Sequence, residues 1–121
     1  MVECNPVTIP MCTSLQLKAE EDEDNFPYRS LIGALLFLAK TTRPDIAFAV
    51  VKLAQFTNGF GSEHWLAAKK VLRYLKGTSN LGICYEKGDK PLCLTGYCDS
   101  DYACDRNDRK SQVGAVFFLG H

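Results

Sequence analysis

Between Phe26 and Lys76 the apolar residues recur at a helical period, and beyond Leu81 they gather into short runs of strand length. A first helix is predicted to begin near Phe26-Pro27 and to run to about Lys40. Pro27 suits a first turn, and Leu31, Leu35 and Leu38 share a face that Ile32 and Phe37 widen. Gly33 and Ala34 would let a second helix approach closely. Thr42-Arg-Pro-Asp45 reads as the N-cap and first turn of that helix, with Ile46, Ala49, Val50 and Leu53 on its buried side and an end near residues 56–58. Gly59-Phe-Gly61 breaks the chain, and Ser62 is placed to cap a third helix over residues 63–76, which Gly77 terminates. The core face predicted for it is Trp65, Ala68, Leu72 and Leu75, while Lys69, Arg73 and Lys76 share another.

The period then changes. Residues 81–85, 91–98 and 113–119 read as strands, with a polar turn at 86–90. Three helices followed by a short antiparallel sheet give an α+β fold class. Ahead of them, residues 1–25 carry Pro6, Pro10 and the acidic block Glu20-Glu-Asp-Glu-Asp24 without a sustained period, and read as an extended or disordered arm.

Composition adds limits rather than a function. The 121 residues are 46% apolar, enough for one ordinary core, and 14 basic residues balance 14 acidic ones, so bulk charge does not mark a nucleic-acid binder. The distribution is uneven, however: the acidic block reads as a solvated linker, and Lys69, Lys70, Arg73 and Lys76 form a basic cluster. The six cysteines contain no C-x-x-C pair, and His64 and His121 stand alone, so neither a zinc site nor a disulfide framework is expected. The cysteines read instead as reduced thiols, mostly small apolar core residues. Met1-Val-Glu-Cys-Asn-Pro6 has neither a basic nor an apolar leader region, and the longest apolar stretch, residues 31–39, is about half the roughly 20 residues of a membrane span. The expectation is an intracellular protein, in cytoplasm or nucleus, without membrane association.

Candidate chemistry lies near the C-terminus. Leu94-Thr-Gly-Tyr-Cys-Asp-Ser-Asp101 reads as a strand ending in carboxylates, followed by a loop with Asp105 and Asp108 and then an apolar strand. An acid at a strand end is how many nucleases begin a two-metal site, where Mg²⁺ ions roughly 4 Å apart need several converging carboxylates. No Asp or Glu follows Ser111, and acids crowded in one loop cannot surround a metal from opposite sides. Glycine-rich phosphate loops and Ser-His-Asp sets are missing, and His64 beside Trp65 reads as a first-turn helix residue rather than a base.

The segments Asn5-Pro-Val-Thr-Ile-Pro-Met11, Tyr28-Arg-Ser-Leu-Ile-Gly33, Thr42-Arg-Pro-Asp-Ile-Ala-Phe-Ala-Val50, His64-Trp65, Val71-Leu-Arg-Tyr-Leu-Lys-Gly-Thr78, Gly96-Tyr-Cys-Asp99 and Asp108-Arg-Lys-Ser111 together resemble the polyprotein of copia-type retrotransposons, where reverse transcriptase passes into RNase H. The resemblance implies an arm at 1–25, a helical connection region at 26–78 and a truncated RNase H-like sheet at 79–121. It implies that Asp99 is the vestige of the first metal-binding aspartate of RNase H. In a complete site Asp99 would bridge two Mg²⁺ ions, but the remaining ligands belong to later elements, so no catalytic residue, metal or other cofactor is expected. The paired polymerase aspartates of such elements lie upstream of the matched region.

The resemblance also implies that the third helix lies near the template-primer, where Lys69, Lys70, Arg73 and Lys76 would touch phosphates without reading bases. The plainer reading of those four residues is a solvated helix surface. Stretches of this kind further resemble secreted RxLR-type effectors of oomycete plant pathogens, which enter host cells and suppress cell death through host proteins. Here Arg73-Tyr-Leu-Lys76 supplies only an R-x-L-K, and the acidic block precedes it. The expected function is a non-catalytic retroelement fragment acting through weak nucleic-acid backbone binding. A secreted effector binding a host protein is the alternative, and an active RNase H the least favoured. Self-association through the apolar C-terminal strand is a further expectation.

Overall fold

Pro44 sets the first boundary of the fold. In the computed structural model, which describes residues 4–20, 25–85, 93–101 and 111–119, helix α1 spans Tyr28–Thr41. Proline disfavours the helical conformation in the residue before it, and Arg43 accordingly leaves the helix at φ −131°, ψ 66°. The backbone N–H groups of Thr42 and Arg43 both close on the carbonyl of Leu38, at 3.0 and 2.9 Å. A 3-10 turn at Pro44–Ile46 then leads into helix α2, Ala47–Ala54. Thr42 therefore ends the first helix and does not cap the second; the predicted capping role fails because Arg43 takes up the carboxylate of Asp45.

Helix α3 spans Ser62–Gly77. Its N-cap is Gly61 and not Ser62, and its C-cap is Thr78 and not Gly77. At that end the Thr78 N–H reaches the carbonyls of Tyr74 and Leu75, and its hydroxyl reaches the Tyr74 carbonyl at 2.8 Å. The exposed carbonyls are thus satisfied without a left-handed glycine. The left-handed residue lies earlier, at Gly59 with φ 99°. A Cβ there would lie 2.9 Å from the backbone oxygen of Glu20, whose own N–H donates to the Gly59 carbonyl at 3.0 Å.

The core of this unit, which clusters as Met1–Ile83, forms where Tyr28, Ile32 and Leu35 of α1 meet Ile46, Ala49, Val50 and Leu53, with Phe56, Phe60, Ala67, Ala68 and Val71 closing it. Each fully buried large apolar side chain contributes about 1.5–3 kcal/mol. The α2 face matches its sequence pattern. On α1, Phe37 is exposed, and Gly33 admits no neighbour: a Cβ there would meet nothing within 4 Å. On α3 the buried face is His64, Ala67, Ala68, Val71 and Tyr74, about one position round from the predicted stripe, and Trp65, Leu72 and Leu75 pack only partly against the core. Two small alanines let α3 approach closely, and the two polar rings it buries each find a hydrogen bond. Residues 4–20 carry no helix or strand, yet Met11 and Leu17 are buried in the same core.

The second unit, Cys84–His121, contains strands β1 (Leu94–Asp101) and β2 (Gln112–Leu119), paired antiparallel from Leu94↔Leu119 to Asp101↔Gln112. Gly96 faces Phe117, whose ring lies over it: a Cβ at Gly96 would come within 2.8 Å. Tyr97 and Phe118 meet edge to face with centroids 6.1 Å apart. Three helices followed by a two-stranded antiparallel sheet make the fold class α+β. Residues 81–85, expected as a strand, take no regular form. The acidic positions 21–24, the turn at 86–90 and the loop holding Cys104, Asp105 and Asp108 lie outside the described residues.

Candidate nucleic-acid interface

Burying His64, Ala67, Ala68, Val71 and Tyr74 turns the cationic positions of α3 away from the core. Lys69 is exposed, with Nζ 5.7 Å from the centroid of the Trp65 ring, and Trp65 itself stacks on Phe26 at 5.2 Å and 4°. Lys70 and Arg73 are half-buried, and Lys76 is exposed. Arg73 Nε donates to the carbonyl of Asn5 at 2.6 Å, and Lys76 Nζ to that of Cys4 at 2.8 Å. All four predicted residues thus occupy one helix, but two of them are already engaged by the N-terminal arm. No ion pair joins Lys69, Lys70 or Arg73 to an acid among the described residues. What such an edge offers chemically is phosphate attraction without base readout.

Behind this edge lies a polar network that the sequence reading missed. Arg43, only 7% exposed, forks onto Asp45 through Nε–Oδ1 at 2.9 Å and a second bond to Oδ2 at 2.7 Å. It also donates to the carbonyl and hydroxyl of Thr78, at 3.0 and 2.6 Å. Tyr74 donates its hydroxyl proton to Asp45 Oδ2 at 2.9 Å and lies under the guanidinium, 5.6 Å away. The Arg43 hydrogen bonds hold the Asp45 carboxyl below its usual range, and the bond to Asp45 raises the Tyr74 phenol. Its sequence signal is Arg-Pro-Asp followed by Tyr-Leu-Lys-Gly-Thr, which at short range has the same form as a capping pattern.

His64 is a second buried polar residue, 1% exposed. Its Nδ1 accepts the N–H of Gly61 at 3.1 Å, reaching back from the third helical position to the cap. The ring packs against Phe56 at 4.7 Å and edge-on to Tyr28 at 6.4 Å. Burial lowers its pKa, against the opposing pull of Glu20, whose carboxylate lies 3.8 Å from Nδ1. Through Nδ1 the ring is part of the helix cap, while Nε2 is buried without a hydrogen-bond partner among the described residues.

Asp99 stands two residues before the end of β1 at Asp101, opposite Gly114 and exposed, so the strand ends in acidic residues as expected. Among the described residues no three His, Cys, Asp or Glu side chains gather as metal ligands. The cysteines depart from expectation as well. Cys4 is half-buried, and Cys12, Cys84, Cys93 and Cys98 are exposed, so none of the described thiols fills the core. Cys12 lies 2.9 Å from the Ser14 hydroxyl, a hydrogen bond that lowers its pKa.

Comparison with known proteins accounts for the order of these segments. The chain is 43% identical over 124 aligned residues to the retrovirus-related Pol polyprotein from transposon RE1 of Arabidopsis thaliana, a match that takes in 100% of this chain. It is 39% identical to the Pol polyprotein from transposon TNT 1-94 of Nicotiana tabacum, over 97% of its length. Along its whole length the chain is similar to retrotransposon Pol polyproteins of the copia type. It spans only 8% and 9% of those two relatives, and so corresponds to a short stretch of a polyprotein. The secreted RxLR effector protein 161 of Plasmopara viticola is 42% identical over 95 residues, 78% of this chain and 66% of the effector. No protein-family model matches, and neither does any solved structure. The segments Thr42–Val50 and Val71–Thr78 that carried the resemblance are those joined by Arg43, Asp45, Tyr74 and Thr78. No helix among the described residues is long and apolar enough to cross a membrane.

Proposed function

We propose that this copia-type stretch is a non-catalytic element that holds nucleic-acid backbone along α3. The observation that carries the reading is the cationic edge of Lys69, Lys70, Arg73 and Lys76, turned outward by the burial of the opposite face. Binding of this kind is weak, salt-sensitive and indifferent to sequence. Four phosphate contacts give a log–log salt slope no steeper than roughly −4 on duplex DNA. Affinity for several unrelated duplexes across a salt series tests it. A strong preference for one duplex, or binding unchanged when all four residues become Ala, removes α3 as the contact surface.

The non-catalytic half of the proposal rests on Asp99. It is the one position of this chain that matches the acidic set of RNase H, and a two-metal hydrolysis needs clamps on both the attacking and the leaving oxygen. Purified protein incubated with a labelled RNA–DNA hybrid and Mg²⁺ or Mn²⁺ leaves the RNA intact; cleavage that vanishes in Asp99→Asn refutes this half. The likeness to the Plasmopara viticola effector supports a second reading, in which the chain is secreted, enters a host cell and acts on a host protein to suppress cell death. Suppression of cell death by the chain expressed in plant leaf tissue, retained when the four cations become Ala, favours this reading over the first.

A further inference from the structure

Residues 4–6 run beside the C-terminal end of α3, and their contacts fall on the edge that the proposed function needs. The Asn5 carbonyl takes the Nε proton of Arg73 at 2.6 Å, and the Cys4 carbonyl takes a proton of Lys76 Nζ at 2.8 Å. The approach is close because residue 77 is glycine: a Cβ there would lie 2.8 Å from the Cβ of Pro6 and 3.6 Å from the carbonyl oxygen of Val7. Gly77 is the last helical residue, and its φ is not in the left-handed region. The space taken by the arm, and not backbone strain, is what glycine provides there.

We infer that residues 4–6 form an autoinhibitory strap across the nucleic-acid-binding edge of α3, occupying donors of Arg73 and Lys76 until a phosphate displaces them. The inference rests on the backbone-binding reading above. A carbonyl is a neutral acceptor, whereas a phosphate oxygen carries charge, and charge-assisted hydrogen bonds between ionised partners are the stronger. Nucleic acid therefore wins the exchange, but only after the arm lifts. The apparent affinity is then the intrinsic one reduced by the fraction of molecules whose strap is open. Downstream, the arm is tethered by Val7, which packs against the core, and by buried Met11. The displaced strap thus stays close to its seat and competes at high effective concentration.

The test uses the full chain with Gly77→Ala, whose methyl group collides with Pro6 while the helix keeps its geometry. Binding of a short fluorescently labelled duplex is measured by anisotropy at low salt. Gly77→Ala is expected to bind at least about threefold more tightly than the parent, and the gain disappears when Arg73 and Lys76 are also changed to Ala. A second variant lacking residues 1–6, which keeps Val7, Met11 and Leu17 in the core, is expected to show the same gain. The strap is overturned if both variants bind as the parent does while the parent's binding still depends on the four cations; the backbone-binding reading survives that result. If neither the parent nor the opened variants bind the duplex, the backbone-binding reading fails and the strap falls with it.

Discussion

Tyr74 donates its hydroxyl proton to Asp45 across 2.9 Å, joining residues 29 positions apart in the chain. Because the same carboxylate is forked by Arg43, the last turns of α3 are tied to the entry of α2 by side chains that no hydrophobic pattern records. Tyr74→Phe removes one bond to a charged acceptor and is expected to cost about 1.5 kcal/mol. Asp45→Ala costs more, about 3 kcal/mol, because it leaves the nearly buried Arg43 without its counter-charge. Urea unfolding of the two variants against the parent measures both, and equal losses would show that the ion pair contributes nothing beyond the phenol.

His64 gives the fold a pH dependence whose sign follows from its lowered pKa. The unfolded chain takes up a proton near the ordinary value of 6.5 while the folded ring stays neutral. The stability is therefore fully present above that pH and declines as pH falls toward the lower folded value. His64→Gln keeps a side-chain acceptor at the third helical position, the residue type a capping box favours, and removes the titration. Thermal melts between pH 7.5 and 5 are expected to slope in the parent and to flatten in His64→Gln.

Gly59 is the turn residue that tolerates least change. Its φ of 99° is strained for any side chain, and a Cβ would meet the Glu20 backbone. Gly59→Ala is expected to destabilise the helical unit by about 2 kcal/mol or more. Gly33→Ala, in a helix and in open space, is expected to stabilise it by roughly 0.5–1 kcal/mol. Denaturant midpoints that moved in the same direction for both would contradict this account.

Hydrogen exchange is expected to separate the two units. Amides of α1, α2 and α3 lie over a shared core, whereas every side chain described in the β1–β2 hairpin between residues 94 and 119 is exposed. An isolated two-stranded hairpin is marginally stable at best in water. Slower exchange over residues 94–119 than over 28–77 would reverse this expectation.

The helices and the order of the fold were legible in the sequence because their apolar residues repeat at 3.6, as at Ile46, Ala49, Val50 and Leu53, all buried. The orientation of α3 was not. Hydrophobicity ranks Trp65 and Leu72 above His64 and Tyr74, but Gly61 gives His64 Nδ1 a partner within the helix cap and Asp45 gives Tyr74 one from 29 residues away, and hydropathy records neither bond. The cationic cluster could be read from four letters on one helix; its cover by Cys4 and Asn5 could not, since backbone carbonyls carry no sequence signature. The buried role of Arg43 was hidden for a related reason, as Thr78 lies 35 residues away.

The stack of Trp65 on Phe26 also makes the protein self-reporting. Trp65 is the sole tryptophan of the chain, and its indole stacks on a ring just ahead of α1 and lies near the ammonium of Lys69 on its own helix. Its emission therefore senses the start of α1 and the cationic edge together. Loss of the α1–α3 contact releases the indole to water, while a ligand that draws Lys69 away changes the field over the ring without unfolding anything. Unfolding and occupancy of the edge thus give separable optical signals from one native chromophore, without a label.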